Sequence, residues 1–360
     1  MTVICAPRLL RAGALSGPGA VVVEGGRIAA VLDEPPAPGP DQVRLDTGLL
    51  TPGLLDLHNN GAFGADFADA SPEGWTEVLA GLASRGVTGV QPTVITAPLL
   101  DITAAMERCQ AAAGANEGRP VARVLGVHLE GPFISERRKG AHRAECMLDP
   151  TTEALDALLG HPATAEMLRT VTLAPERDHA LEAIGRLVAA GVIVAVGHSD
   201  ATAEQVRAAA DAGATLVTHV FNAQRPFAHR DPGVPGAALT DEHLCVALIV
   251  DGQHVHPLAC ELVFRAAAGR VVAVTDSIVT AGLPDGTIAG AGIVLDEGVR
   301  RMVAAGLDPA VVLCAATEVA ARSLGRTDVG HLLPGAHPDL VWWDDGLVPR
   351  RVWVGGVAVE

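Results

Sequence analysis

"LVAAGVIVAVGHSD", residues 187–200, joins two kinds of local structure across one glycine. Before Gly191 the residues favour a helix. After it, Val192, Ile193, Val194 and Val196 make a β-branched run. Glycine takes the left-handed conformation that ends a helix, and a strand apolar on both sides is covered on both faces. The unit recurs as "LASRG" then "VTGVQPTVI", "ADAG" then "ATLVTHVFN", and "RAAAG" then "RVVAVTD". Counted through, the candidate strands are 53–58, 87–95, 123–130, 169–175, 192–198, 214–221, 244–250 and 271–276. Eight strands with helical segments between them predict a parallel (β/α)8 barrel of the TIM type, an α/β fold. The competing architecture is a doubly wound open sheet, but no Gly-rich dinucleotide fingerprint follows the first strand.

The two chain ends carry a different pattern. "AVVVEGGRIAAVL" (20–32) reads as two short strands around Glu-Gly-Gly, a hairpin signal. "DLVWWDDGLVPRRVWVGGVAVE" (339–360) reads as strands and turns. Residues 1–50 and 330–360 are therefore expected to form one small β-sandwich domain beside a catalytic barrel of residues 51–329.

Composition narrows the classes of function. The 360 residues are 49% hydrophobic and 19% charged, which is globular. A formal charge of −16 argues against nucleic acid or an anionic membrane as partner. An anionic small substrate stays open if positive residues gather locally. No apolar stretch is long enough for a bilayer, no secretory signal opens the chain, and the six cysteines show no C-x-x-C spacing. Free thiols in a reducing cytoplasm are the expectation.

The polar residues fall at the carboxyl ends of the strands, where barrel enzymes build their sites. His58 and Asn60 follow the first strand, and Glu130 ends the third against Gly131-Pro132. His198 ends the fifth, His219 lies late in the sixth, and Asp276 ends the eighth. Each alone has a structural alternative: a hydrogen-bonded histidine, a turn or cap aspartate, a punctuating Glu-Gly-Pro. Together on one rim, a glutamate and two histidines supply one oxygen and two nitrogen ligands, with a fourth position left for water.

"PGLLDLHNNGAFGADF", "GVHLEGPFIS", "KGAH", "GHSDAT", "THVFNA", "DGQHVHP" and "VTDSIVTAGLPDG" follow in that order, and "LLPGAHPDLVWW" closes the chain. This series resembles the amidohydrolase superfamily, and within it the N-acetylglucosamine-6-phosphate deacetylase family. The resemblance implies a hydrolase that releases acetate from N-acetyl-D-glucosamine 6-phosphate in amino-sugar catabolism. It implies Glu130, His198 and His219 as ligands of one divalent ion per chain, zinc first, with iron, manganese or cobalt as alternatives. Asp276 matches the catalytic carboxylate. His142, Asn222, Ala223, Arg230 and His254 match positions on the substrate side, and Ile288 an apolar residue near the acetyl group. The resemblance also implies a homodimer whose phosphate site draws on the neighbouring subunit.

This chain departs from the family pattern at four places. His58-x-Asn60 stands where many amidohydrolases carry His-x-His, which argues against a full second metal site and leaves His58 and Asn60 as weak ligands or orienting groups. Gln224 follows "FNA" where methionine is usual, and Ser277 follows Asp276 where a small apolar residue is usual. After "GLPDG" the chain runs straight into "TIAGAG", without the family's strand-rich insertion. The alternatives are an N-acetylgalactosamine-6-phosphate deacetylase, another N-acyl amidohydrolase, or a catalytically silent barrel with an assembly role.

Overall fold

The computed structural model describes residues 1–283 and 292–360. Its centre is an eight-stranded parallel barrel. We label the barrel strands β1 (Leu54–Asn59), β2 (Val87–Ile95), β3 (Val127–Glu130), β4 (Leu168–Leu173), β5 (Ile193–Val196), β6 (Leu216–Val217), β7 (Cys245–Ile249) and β8 (Val271–Val274). Adjacent strands pair in parallel from β1 to β8. A two-residue strand, Arg123–Val124, precedes β3 on the same side of β2, so the expected strand 123–130 is broken at Gly126 (φ 100°). Gly86, Gly191, Gly213 and Gly269, the glycines of the repeated unit, all have positive φ. They end helices as the left-handed position requires.

β8 meets β1 without a full ladder. Thr275 sews the two together by donating its backbone N–H to Asp56 Oδ1 (3.2 Å) and its hydroxyl to Asp56 Oδ2 (2.6 Å). The N–H of Asp276 donates to the carbonyl of His58 (2.8 Å), and that of Asn60 to the carbonyl of Ser277 (2.8 Å). The buried Asp56 carboxyl is pushed up by burial, and its bonds to Thr275 and Asn59 oppose that rise. Val, Leu and Ile side chains from every barrel strand fill the core.

Both ends of the chain build sheets. One has four strands, in the order 27–32, 19–24, 2–6, 42–44. The other has six, in the order 357–358, 349–354, 340–343, 49–52, 9–11, 14–16. The expected hairpin is present, Gly19–Glu24 antiparallel to Arg27–Leu32. Ile4, Val21 and Ile28 of the first sheet pack with Leu9, Leu50, Leu340 and Trp353 of the second. This is a sandwich joined across the whole length of the chain. Leu49–Pro52 pairs with Leu340–Trp343 and runs directly towards β1. The sandwich and the barrel are thus joined through Gly53 alone on that side.

Candidate active site

The carboxyl ends of the barrel strands surround a cavity of about 530 Å³. Asn60, Glu130, His198, His219, Asn222, Ala223, His254 and Asp276 line it, all of them singled out by sequence. Asp66 and Asp69, on the segment after β1, and Ile278, after β8, complete much of the rim. No lysine or arginine lines it among the described residues. Arg230 lies exposed outside the cavity, and Ile288 lies outside the described residues.

Three turns hold their residues in the left-handed region: His198 (φ 45°), His219 (φ 23°) and Asp276 (φ 51°). Non-glycine residues are strained there, and such strain persists where surrounding structure over-determines it. The surroundings do so here. The carbonyl of His198 accepts the N–H of Ser135 (2.9 Å), and Gln224 bridges its turn by accepting from Phe221 N–H (3.0 Å) and donating to the Thr218 carbonyl (2.8 Å). Gln224, the departure from methionine, is therefore a satisfied buried amide. Ser277, another departure, donates its hydroxyl to the Gly61 carbonyl (3.1 Å) and so ties the ends of β8 and β1.

Glu130, His198 and His219 converge. His198 Nε2 and His219 Nε2 lie 3.1 and 2.9 Å from Glu130 Oε1, and 3.1 Å from each other. His198 Nδ1 lies 2.9 Å from the carbonyl of Arg138. A carbonyl only accepts, so Nδ1 carries the proton and Nε2 presents its lone pair. Burial holds the His198 pKa below its ordinary value, which keeps the ring neutral. At most one hydrogen, on His219, can then lie among three buried acceptors about 3 Å apart. That donor set fits a divalent cation, whose tetrahedral ligands at ~2.0–2.1 Å stand about 3.4 Å apart. Two overlapping groups of candidate ligands share Glu130, one with His58 and His219, the other with His142 and His198. The tightest triangle is Glu130, His198 and His219.

Glu130 is the hub of the surrounding charges. Its other oxygen, Oε2, lies 3.4 Å from His58 Nε2 and 3.5 Å from His142 Nε2. Burial would raise the Glu130 carboxyl, but His58 and His198 hold it well below the usual carboxylate range. For His58, burial works downwards, and the carboxylates of Asp276 and Glu130 raise the ring to about 9. Asp276 faces the cavity with Oδ1 bound to Asn60 Nδ2 (2.8 Å) and 3.2 Å from His58 Nε2. His254 Nδ1 bonds Asp251 Oδ2 (2.7 Å), which raises its pKa above the ordinary 6.5.

Sequence reasoning missed Thr96 and His128. Thr96 Oγ1 donates to the Glu130 carbonyl (3.1 Å) and bonds His142 Nδ1 (2.8 Å), so one hydroxyl fixes both the end of β3 and a buried histidine. His128 sits between Thr93 Oγ1 (3.2 Å) and Thr172 Oγ1 (2.7 Å), beneath His58. Its signal was available: two residues before Glu130 on one strand, it points to the same side.

Comparison with known proteins agrees with this geometry. The profile of the amidohydrolase family matches residues 49–359. An N-acetylgalactosamine-6-phosphate deacetylase of Escherichia coli O157:H7 is 38% identical over 334 residues, covering 86% of this chain and 88% of its own. An N-acetylglucosamine-6-phosphate deacetylase of Vibrio furnissii is 34% identical over 360 residues, covering 93% and 89%. The crystal structure of N-acetyl-D-glucosamine-6-phosphate deacetylase from Mycobacterium smegmatis is 32% identical and matches all of both chains at a TM-score of 0.91. A variant of that enzyme in complex with N-acetyl-D-glucosamine-6-phosphate also scores 0.91.

Proposed function

This chain belongs to the amidohydrolase family and, within it, to the N-acetylglucosamine-6-phosphate deacetylases, and on that premise we propose that it hydrolyses N-acetyl-D-glucosamine 6-phosphate to glucosamine 6-phosphate and acetate. The observation that carries the reading is the convergence of Glu130, His198 and His219 beside Asp276 in one barrel mouth.

An amide is a poor electrophile, and its amine leaves only when protonated. Glu130, His198 and His219 would hold one divalent ion, zinc by ligand chemistry. Such an ion lowers the pKa of a water and polarises a carbonyl. Asp276 accepts the proton of the attacking water and returns it to the departing nitrogen. His142, packed beside Glu130, together with Asn222 and Ala223, shapes the sugar side of the cavity. His254, with its raised pKa, meets the phosphate as a cation.

One cationic histidine is a weak counter-charge for a phosphate dianion. Arg230 is exposed, stands outside its own cavity and has no ionic partner among the described residues. This supports a homodimer in which Arg230 of each subunit serves the site of the other. Six unpaired cysteines suit action in the cytoplasm.

Acetate release from a panel of phosphorylated and free N-acetyl sugars tests the reading, and an inert protein overturns it. The 38% identity to an N-acetylgalactosamine-6-phosphate deacetylase favours one second reading, the 4-epimer as substrate. The same panel separates the two.

A further inference from the structure

Asp276 has two oxygens in unequal surroundings. Oδ1 receives Asn60 Nδ2 at 2.8 Å and lies 3.2 Å from His58 Nε2. Oδ2 has no protein donor among the described residues, and the side chain lines the cavity. A carboxylate only accepts, so Asn60 must turn its amide nitrogen towards it. Asn60 is itself held at both ends of its backbone. Its N–H donates to the Ser277 carbonyl (2.8 Å), and its carbonyl accepts the N–H of Phe67 (2.9 Å). The donor is thus delivered by a fixed strand end and not by a swinging loop.

We propose that Asn60 is a positioning residue that occupies Oδ1 of Asp276 and leaves Oδ2 as the one oxygen that carries the proton. The terminal torsion of an aspartate is broad and roughly two-fold, so its oxygens exchange freely unless a donor distinguishes them. His58 Nε2 lies near the same oxygen but makes no hydrogen bond, so the Asn60 amide is the donor that makes that distinction.

The step rests on the amide-hydrolysis reading. An O–H bond of the attacking water breaks as its proton bonds to Oδ2, and the water oxygen bonds to the acetyl carbon while the carbonyl π pair moves onto the carbonyl oxygen, to return when the C–N bond breaks. The same proton then passes from Oδ2 to the nitrogen as the C–N bond breaks, and the bonding pair leaves with the amine. Asp276 begins and ends ionised.

Asn60→Leu keeps the side chain's volume and removes the donor. The expected result on N-acetyl-D-glucosamine 6-phosphate is a kcat lower by about 10- to 100-fold, with KM and metal content unchanged. A crystal structure of the variant should show the Asp276 carboxylate rotated away from its position against Asn60. Asn60→Gln, which retains a donor, should recover part of the loss. A kcat within about twofold of the unaltered protein would overturn the proposal, as would loss of metal in Asn60→Leu. An unaltered protein inert on every sugar would sink the functional reading instead. The Asp276 rotamer in the two structures would still decide the role of Asn60.

Discussion

Replacing Asp276 by asparagine keeps the volume and one hydrogen-bonding oxygen but removes the proton acceptor. The expected outcome is a kcat lower by about 10²–10⁴, with metal content unchanged because Glu130, His198 and His219 are intact. Loss of metal from this variant would make Asp276 a ligand. His219→Ala, by contrast, should lose the ion, and elemental analysis of the unaltered protein should find about one per chain. Two at full occupancy would contradict the donor role of Asn60 and bring His58 into a second site. His254 adds a pH dependence. The groups raising it, Asp251 and Asp276, favour its cation, so the charge is complete below 6.5 and is lost only as pH rises through the higher folded value. KM for the phosphorylated sugar should climb over that interval, and His254→Asn should flatten the climb. The rim residues were legible because Val/Ile runs and helix-ending glycines fixed where strands stop. The burial of His142 was not, since it depends on Thr96, 46 residues away in sequence.

At the scale of one element, β3 illustrates how backbone conformation serves a side chain. Gly131 follows Glu130 with φ 91°, and a Cβ there would lie 2.1 Å from Thr96 Oγ1. Gly131→Ala therefore combines left-handed strain of about 1–3 kcal/mol with overpacking of similar size. It should also displace the hydroxyl that ties the Glu130 carbonyl to His142. A lowered urea midpoint together with weakened metal binding is the expected pair of results, and an unchanged midpoint would show that the turn relaxes freely. Elements were legible where pattern was local, as in the glycine-ended helices and the hairpin at 20–32. β6 was not legible in its length. The expected strand 214–221 is a ladder of only Leu216 and Val217, because the chain turns early to set His219 at φ 23°.

For the whole molecule, the location of Arg230 outside its own cavity makes a prediction about the assembly. Arg230→Met should raise KM for the phosphorylated sugar by the worth of a charge-assisted contact, about 1.5–3 kcal/mol, and leave the unphosphorylated analogue nearly unaffected. Mixing Arg230→Met with Asp276→Asn subunits should restore turnover at the KM of the unaltered protein, which neither variant shows alone. In the mixed dimer, one site has its own Asp276 and receives Arg230 from the partner. Failure to complement, with exchange of subunits verified, would place Arg230 in the site of its own chain or outside the chemistry. The sandwich was legible as a joining of both ends, but the course of the loops over the barrel mouth was not. It is set by contacts such as Asn60 with Asp276, 216 residues apart.

The seam between β1 and β8 also bears on how the enzyme comes into being on the ribosome. All three proposed ligands have been synthesised by residue 219, yet the proton acceptor sits at residue 276, and the strand leading into β1, paired on one side with Leu9–Arg11, meets its other partner at Leu340–Trp343. A nascent chain can therefore carry all three ligand residues long before it owns a hydrolase. Translation halted between those points should yield an inert polypeptide, not a weaker catalyst.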